Sequence, residues 1–225
     1  MKTYAIIPAG GKGIRSGLSA PKQYLKFSGK ELIAYTLDIF QKNVLVDEII
    51  ISSESVYFKQ LWDIKEKYKF VKVKQIVEGG KKRQDSVYNA LISLPAEEED
   101  LVIVHDAARP LLPQDILTEA IKTAKLKGSA LVCLKVSDTL VKANEIVDYY
   151  VNREDIYYVQ TPQIFKFIDL SNAMKKAYDE NFYGTDESML IKRTDQDIYI
   201  VEGSLFNFKV TTKSDIELLE KLLKK

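Results

Sequence analysis

The chain has 225 residues, 46% of them apolar and 29% charged, which suits one continuous α/β domain with a sizeable core. Lysine and arginine number 33 against 32 acidic residues, a net charge of +1, so no global field selects nucleic acid or an anionic membrane. No apolar run is long enough to span a bilayer, Pro8 interrupts the N-terminal stretch too early for a secretory signal, and a lone Cys133 excludes an internal disulfide; a cytoplasmic protein is expected.

Thr3–Ile7 is the first candidate strand. Further strands are expected at Glu48–Ser52, Val71–Val77, Leu101–Val104 and Ala130–Leu134, where Cys133 reads as a packed core thiol. Amphipathic helices are expected between them at Glu31–Gln41, Ser55–Tyr68, Arg83–Leu94 and Pro113–Lys127. This alternation is that of βα units around a mostly parallel sheet. From Lys135 to Gln160 the rhythm breaks into two polar, extended segments with a turn near Ala143-Asn144-Glu145. Such a hairpin either folds back on the edge of its own sheet or projects as an arm toward a second subunit. Ile198–Val201 and Phe206–Val210 read as the last strands before a helix over Lys213–Leu223, with several possible N-caps in the run Thr211 to Asp215.

Chemistry concentrates where strands run out. After the first strand, Gly10-Gly11-Lys12-Gly13-Ile14-Arg15 places glycines beside cations, so backbone N–H groups can approach a phosphate closely. Ser16 stands where a dinucleotide fingerprint needs its third glycine, and Ile14 where a P-loop needs lysine, so neither pattern fits. Lys22, stiffened by Pro21, adds a cation that can reach the same ligand. Glu78-Gly79-Gly80-Lys81-Lys82-Arg83-Gln84-Asp85-Ser86 repeats the strand–glycine–cation–helix arrangement, with Asp85 and Ser86 both candidates for the helix cap.

The strand Leu101–Val104 delivers His105-Asp106-Ala107-Ala108-Arg109. Asp106 is placed to hold Mg²⁺ and Arg109 to hold a phosphate, unless the two simply pair with each other. His105, the only histidine, reads as a packed, hydrogen-bonded residue. An inventory with one histidine and no Ser/His or Cys/His pairing suits phosphoryl chemistry better than acyl transfer. A phosphate oxygen is already ionised at neutral pH and needs no general base. It needs two mutually repelling anions to be aligned and their charge neutralised.

Together these segments resemble the 2-C-methyl-D-erythritol 4-phosphate cytidylyltransferase family. The matching runs are Pro8 to Arg15, Pro21-Lys22-Gln23-Tyr24, Gly80 to Val87, Val104 to Pro110, Ser137-Asp138-Thr139, Gln160-Thr161-Pro162-Gln163, Thr185-Asp186-Glu187, and Val201-Glu202-Gly203 with Asn207 to Thr211. The resemblance implies a Rossmann-like nucleotidyltransferase fold, a mostly parallel sheet flanked by helices with a projecting β-arm. It implies transfer of CMP from CTP to a sugar-alcohol phosphate, Mg²⁺ as cofactor and a homodimer.

By position, Arg15 and Lys22 match the catalytic residues. Ala9, Gly10, Gly11, Gly80, Lys81 and Ser86 match the nucleotide-binding positions, and Asp106 the metal ligand. Arg109, Thr139, Arg153, Thr161, Thr185 and Lys209 match the acceptor-binding positions, with residues 135–160 as the arm that presents Thr139 and Arg153 to the neighbouring subunit. The chain departs in two places: the family more often has Ala-Ala-Gly where Ala9-Gly10-Gly11 stands, and methionine at Ser16. Ribitol-5-phosphate cytidylyltransferases share Ala-Gly-Gly-Lys-Gly, so ribitol 5-phosphate is the alternative acceptor. A non-catalytic nucleotide-binding module is the alternative outside this chemistry, although Arg15, Lys22, Asp106 and Lys209 are all present.

Overall fold

The computed structural model describes residues 1–11 and 21–224. In chain order the strands are β1 (Thr3–Pro8), β2 (Lys26–Phe27), β3 (Lys30–Glu31), β4 (Glu48–Ser53), β5 (Val73–Glu78), β6 (Leu101–Val104), β7 (Ser129–Lys135), β8 (Leu140–Ala143), β9 (Val147–Val151), β10 (Tyr157–Lys166) and β11 (Ile200–Glu202). The helices are α1 (Leu32–Lys42), α2 (Phe58–Tyr68), α3 (Arg83–Ile92), α4 (Gln114–Lys127), α5 (Phe167–Asp179), α6 (Glu187–Lys192) and α7 (Lys213–Leu223).

One seven-stranded sheet carries the fold, in the order β11-β7-β10-β6-β1-β4-β5. Every neighbouring pair is parallel except those made by β10, which runs antiparallel to both β6 and β7. Both faces of the central strands β1, β4 and β6 are buried, which is why these strands read as apolar runs. In β1, Ala5 and Ile7 enter one core layer while Tyr4 and Ile6 enter the other, as the two-residue period requires. Ile33, Leu37 and Phe40 of α1, Leu61 of α2 and Ile121 of α4 close the first layer. Val87 and Leu91 of α3, Leu170 and Met174 of α5, and Ile191 of α6 close the second.

The winding sets the place for a site. From β1 the chain passes outward to β4 and β5, then returns to β6 on the opposite side of β1. Loops leaving the C-terminal ends of β1 and β6 therefore diverge, and a crevice opens between them.

Element boundaries agree closely with the sequence for β1, β4, β6, β7, α4 and α7. Thr212 caps α7: its hydroxyl accepts the Asp215 N–H at 3.2 Å, and the Asp215 carboxylate accepts the Thr212 N–H at 2.7 Å. Residues 206–210 depart from expectation. They form a 3-10 turn, Leu205–Asn207, and then an unpaired extended segment, because the apolar Phe208 and Val210 pack in a cluster with Leu219 of α7 instead of joining the sheet. The hairpin expected between 135 and 160 is present as β8 and β9, which pair only with each other. The reading in which it folds back on the sheet edge is thus incorrect. Ile146, Val147, Tyr149 and Tyr150 are exposed along it.

Candidate active site

A cleft of about 930 Å³ occupies the crevice. Ala9, Gly10 and Gly11 line it from the end of β1, Gly80, Lys81 and Ser86 from the turn into α3, Asp106 from the end of β6, and Lys22 and Lys209 from other loops. Nine of the expected site residues thus meet in one place although they span some 200 positions of chain.

Each is held by its local structure. At the first glycine turn the Ala9 N–H donates to Ser52 O at 2.7 Å, continuing the β1–β4 ladder. At the second, the Asp85 carboxylate accepts the Lys82 N–H at 3.0 Å and so caps α3. Ser86 is released from capping and instead accepts the Gly80 N–H at 3.0 Å. Gly80 is sterically obligatory, since a Cβ there would lie 2.1 Å from that of Asp85. At Gly10 an added Cβ would meet Ser86 Oγ at 3.7 Å, an ordinary contact, so the alanine more frequent in the family would fit.

The floor of the cleft is an ion network around Asp106. Arg83 Nε lies 3.1 Å from Oδ1, while Lys209 Nζ and Arg109 Nε lie 2.9 and 3.5 Å from Oδ2. Burial works to raise the Asp106 carboxyl, but Arg83, Lys209 and Arg109 outweigh it and hold the group far below the usual carboxylate range. Arg83 also donates through Nη1 to both oxygens of Glu187, at 2.7 and 2.8 Å. Burial opposes its charge, yet Glu187 and Asp106 keep it protonated. Three cations face two carboxylates here, so the floor keeps a net positive charge for an incoming anion.

Arg83 and Glu187 were not singled out as site residues in the sequence. Their link spans 104 positions, and only the presence of each in a matching run hinted at it.

Behind the floor lies a hydrogen-bond chain. His105 is fully buried, and burial pushes its ring down to about 4, so it is neutral. Its Nε2 faces the Arg109 carbonyl at 3.2 Å and must carry the proton; Nδ1 then accepts from Thr161 Oγ1 at 3.0 Å. Thr161 Oγ1 in turn accepts the Asp106 N–H at 3.1 Å. The pairing of β10 with β7 slips between Val159 and Gln163, and this irregularity brings Thr161 to Asp106. Thr161 is therefore buried, its hydroxyl used in holding Asp106.

Lys209 is delivered by anchors on either side. Asn207 Nδ2 donates to Gln160 Oε1 and Thr161 O at 2.9 and 2.8 Å, and the Val210 N–H to Ala108 O at 2.8 Å. Arg109 is buried and donates to Asn207 O at 2.6 Å, so its pairing with Asp106 is accompanied by a structural bond.

Other expected residues stand apart. Thr185 is exposed, its hydroxyl 3.0 Å from Met189 Sδ, two residues before Glu187. Thr139 and Arg153 are exposed on the hairpin and its connection to β10, where Arg153 donates to Ser137 O. Arg15 lies outside the described residues.

A doubly wound sheet with glycine turns and a cationic floor at its switch point defines a nucleotide-binding α/β protein of the nucleotidyltransferase type. The family model described as 2-C-methyl-D-erythritol 4-phosphate cytidylyltransferase matches residues 3–225, and the chain belongs to that family. A relative of that name from Clostridioides difficile (strain 630) is 39% identical over 222 residues, covering 97% of this chain and 92% of its own. One from Thermotoga neapolitana is 40% identical over 220 residues, covering 98% of this chain and 96% of its own. Among solved structures, the 4-diphosphocytidyl-2C-methyl-D-erythritol synthase from Anaerococcus prevotii DSM 20548 superposes with a TM-score of 0.86 at 29% identity, covering 100% of this chain and 96% of that one. The Francisella tularensis 2-C-methyl-D-erythritol 4-phosphate cytidylyltransferase gives 0.83 at 31% identity, with 98% and 99% covered.

Proposed function

We propose that this chain transfers CMP from CTP to 2-C-methyl-D-erythritol 4-phosphate in the crevice between β1 and β6. The products are 4-diphosphocytidyl-2-C-methyl-D-erythritol and pyrophosphate. The observation that carries this reading is the convergence of Arg83, Arg109 and Lys209 on Asp106 beneath a glycine-lined cleft, in a member of the cytidylyltransferase family.

A phosphate oxygen of the acceptor attacks the α-phosphorus of CTP. A P–O bond forms there, the bond to the α–β bridging oxygen breaks, and pyrophosphate leaves with the electron pair. No base is required, which agrees with the full commitment of His105 to Thr161 and Arg109. The work of the protein is to hold two anions in line and neutralise them. The Gly10–Gly11 backbone and Lys22 serve the triphosphate, and Arg15 is given the same task by its place in the family motif. Lys209 serves the acceptor phosphate, and Arg109, buried and outside the cleft lining, supports the floor through Asp106 and the Asn207 carbonyl.

Magnesium is the cofactor assigned. Among the described residues no group of three potential ligands exists, so the protein would offer the Asp106 carboxylate, with phosphate and water oxygens completing the shell. Arg83, Lys209 and Arg109 already engage both Asp106 oxygens, so Asp106 would hold Mg²⁺ through the lone pairs they leave, and the ion would supply neutralising charge to the triphosphate.

The arm is assigned to a homodimer. Its exposed Ile146, Val147 and Tyr150 need cover, and Thr139 and Arg153 are absent from the lining of their own cleft, so a second copy's arm is taken to supply them. Among the described residues no helix is long and apolar enough to cross a membrane, and a cytoplasmic setting is proposed from the CTP requirement.

Pyrophosphate release measured in parallel with 2-C-methyl-D-erythritol 4-phosphate and ribitol 5-phosphate tests the acceptor. The first should react faster by roughly tenfold or more. A preference for ribitol 5-phosphate would reassign the acceptor, and CTP binding without release for either would overturn the catalytic reading.

A further inference from the structure

Gln23 has no role in the assignments above, yet its side chain ties the first glycine turn to the segment bearing Lys22. It lies in the short 3-10 turn Lys22–Tyr24 and is only 4% exposed. Its Nε2 donates to Ala9 O at 2.6 Å and to Gly11 O at 2.8 Å. Both amide hydrogens are thus spent on carbonyls of the turn, across a separation of more than ten residues. Tyr24 adds a second tie: its hydroxyl donates to Ala9 O at 3.2 Å, and its ring stacks on Tyr57 with centroids 4.3 Å apart.

The direction of these bonds matters for ligand binding. The Ala9–Gly10 peptide is trans, so pinning the Ala9 carbonyl to Gln23 also fixes the direction of the Gly10 N–H, in a turn where Gly10 and Gln23 both line the cleft. The same amide fixes the residue next to Lys22. The backbone of the glycine turn and a cation then keep a set spacing before any ligand arrives, which is the condition under which such groups stabilise a transition state.

We propose that Gln23 is a positioning residue for the transfer step, clamping the Gly10–Gly11 backbone and Lys22 into one preorganised triphosphate cradle. This rests on the reading of Lys22 as a triphosphate contact. Without the clamp, the Tyr24 hydroxyl still reaches Ala9, but the two-point hold of the amide on Ala9 and Gly11 is lost.

The test uses Gln23→Met, which keeps length but loses both donors, and Gln23→Glu, which sets carboxylate oxygens against two carbonyls. Each is assayed for pyrophosphate release about 15 °C below its own Tm, so that partial unfolding does not enter. For Gln23→Met, kcat should fall roughly 20-fold or more while the acceptor KM stays within about twofold, because Lys209 and Arg109 are held by other segments. Gln23→Glu should fall further. In the Lys22→Ala background, Gln23→Met should cost clearly less than its roughly 20-fold effect in the parent, since one of the two groups it holds in register is gone. A Gln23→Met enzyme with kcat within twofold of the parent overturns the proposal. So do fully multiplicative losses in the double variant. Normal turnover of Lys22→Ala alone would remove the underlying reading instead, a failure distinct from that of the clamp.

Discussion

The foot of β6 and the β8–β9 hairpin both carry residues assigned to the same reaction, and they hold them in opposite ways. Asp106 is buried and bound by Arg83, Arg109 and Lys209, and Arg83 is fixed in turn by Glu187. These partners come from across the chain, so the geometry exists as soon as the sheet is formed. Thr139 and Arg153 are exposed just beyond the open end of a local ladder, where the Arg153 side chain donates to the nearby Ser137 carbonyl. Substitutions at the floor should therefore disturb folding and turnover together. Substitutions on the arm should disturb turnover alone.

Asp106→Asn should give the largest effect. It leaves three buried or half-buried cations without their shared anion, a loss of ~3–5 kcal/mol, or a fall in Tm of roughly 10 °C. Turnover should fall by ~10³-fold and lose its magnesium dependence. Calorimetry and a magnesium titration of pyrophosphate release check both, and a fully active variant would remove the metal role.

Arg153→Ala should lower kcat by ~10²-fold while Tm moves by less than about 1 °C. Mixing it with Asp106→Asn sharpens the contrast further. If the arm acts in a twofold dimer, hybrids restore about a quarter of the sites, whereas a mixture no better than its components would confine the arm to its own subunit.

Glu187→Gln keeps shape but removes the charge that orients Arg83. We expect about a tenfold loss of turnover with a Tm lower by about 5 °C. Unchanged values of both would detach Glu187 from the floor. Gly10→Ala is the smallest case, with rate and Tm close to the parent: turnover should stay within about twofold, because the added methyl meets only ordinary contact.

What was legible in the sequence followed from how local its cause was. β1 and β6 are short, buried, mainly apolar runs, and the glycine turns after β1 and β5 announce themselves by composition. β10 was not recognised as one long strand, since Gln160, Thr161 and Pro162 interrupt its apolar pattern at the very irregularity that serves the site. α5 and α6 went unassigned. Extended backbone at Phe208–Val210 was expected to pair because of its apolar side chains, yet those side chains are satisfied by α7. The Gly, Lys22 and Asp106 segments stand out in the sequence by composition, and they meet in one cleft. The Arg83–Glu187 pair was invisible, because a buried ion pair across 104 residues leaves no periodic trace.

The antiparallel setting of β10 has a consequence for how this protein can change. A parallel neighbour to β7 would require the chain to travel the length of the sheet and back, committing a dozen or more residues to a crossover. Because β10 returns beside β7 directly, residues 136–156 carry no topological duty. They can be lengthened, shortened or reshaped without rethreading the core. Apart from Thr139 and Arg153, which the acceptor site is proposed to use, the sheet has in effect set aside a stretch of chain on which contacts with other molecules can be rewritten.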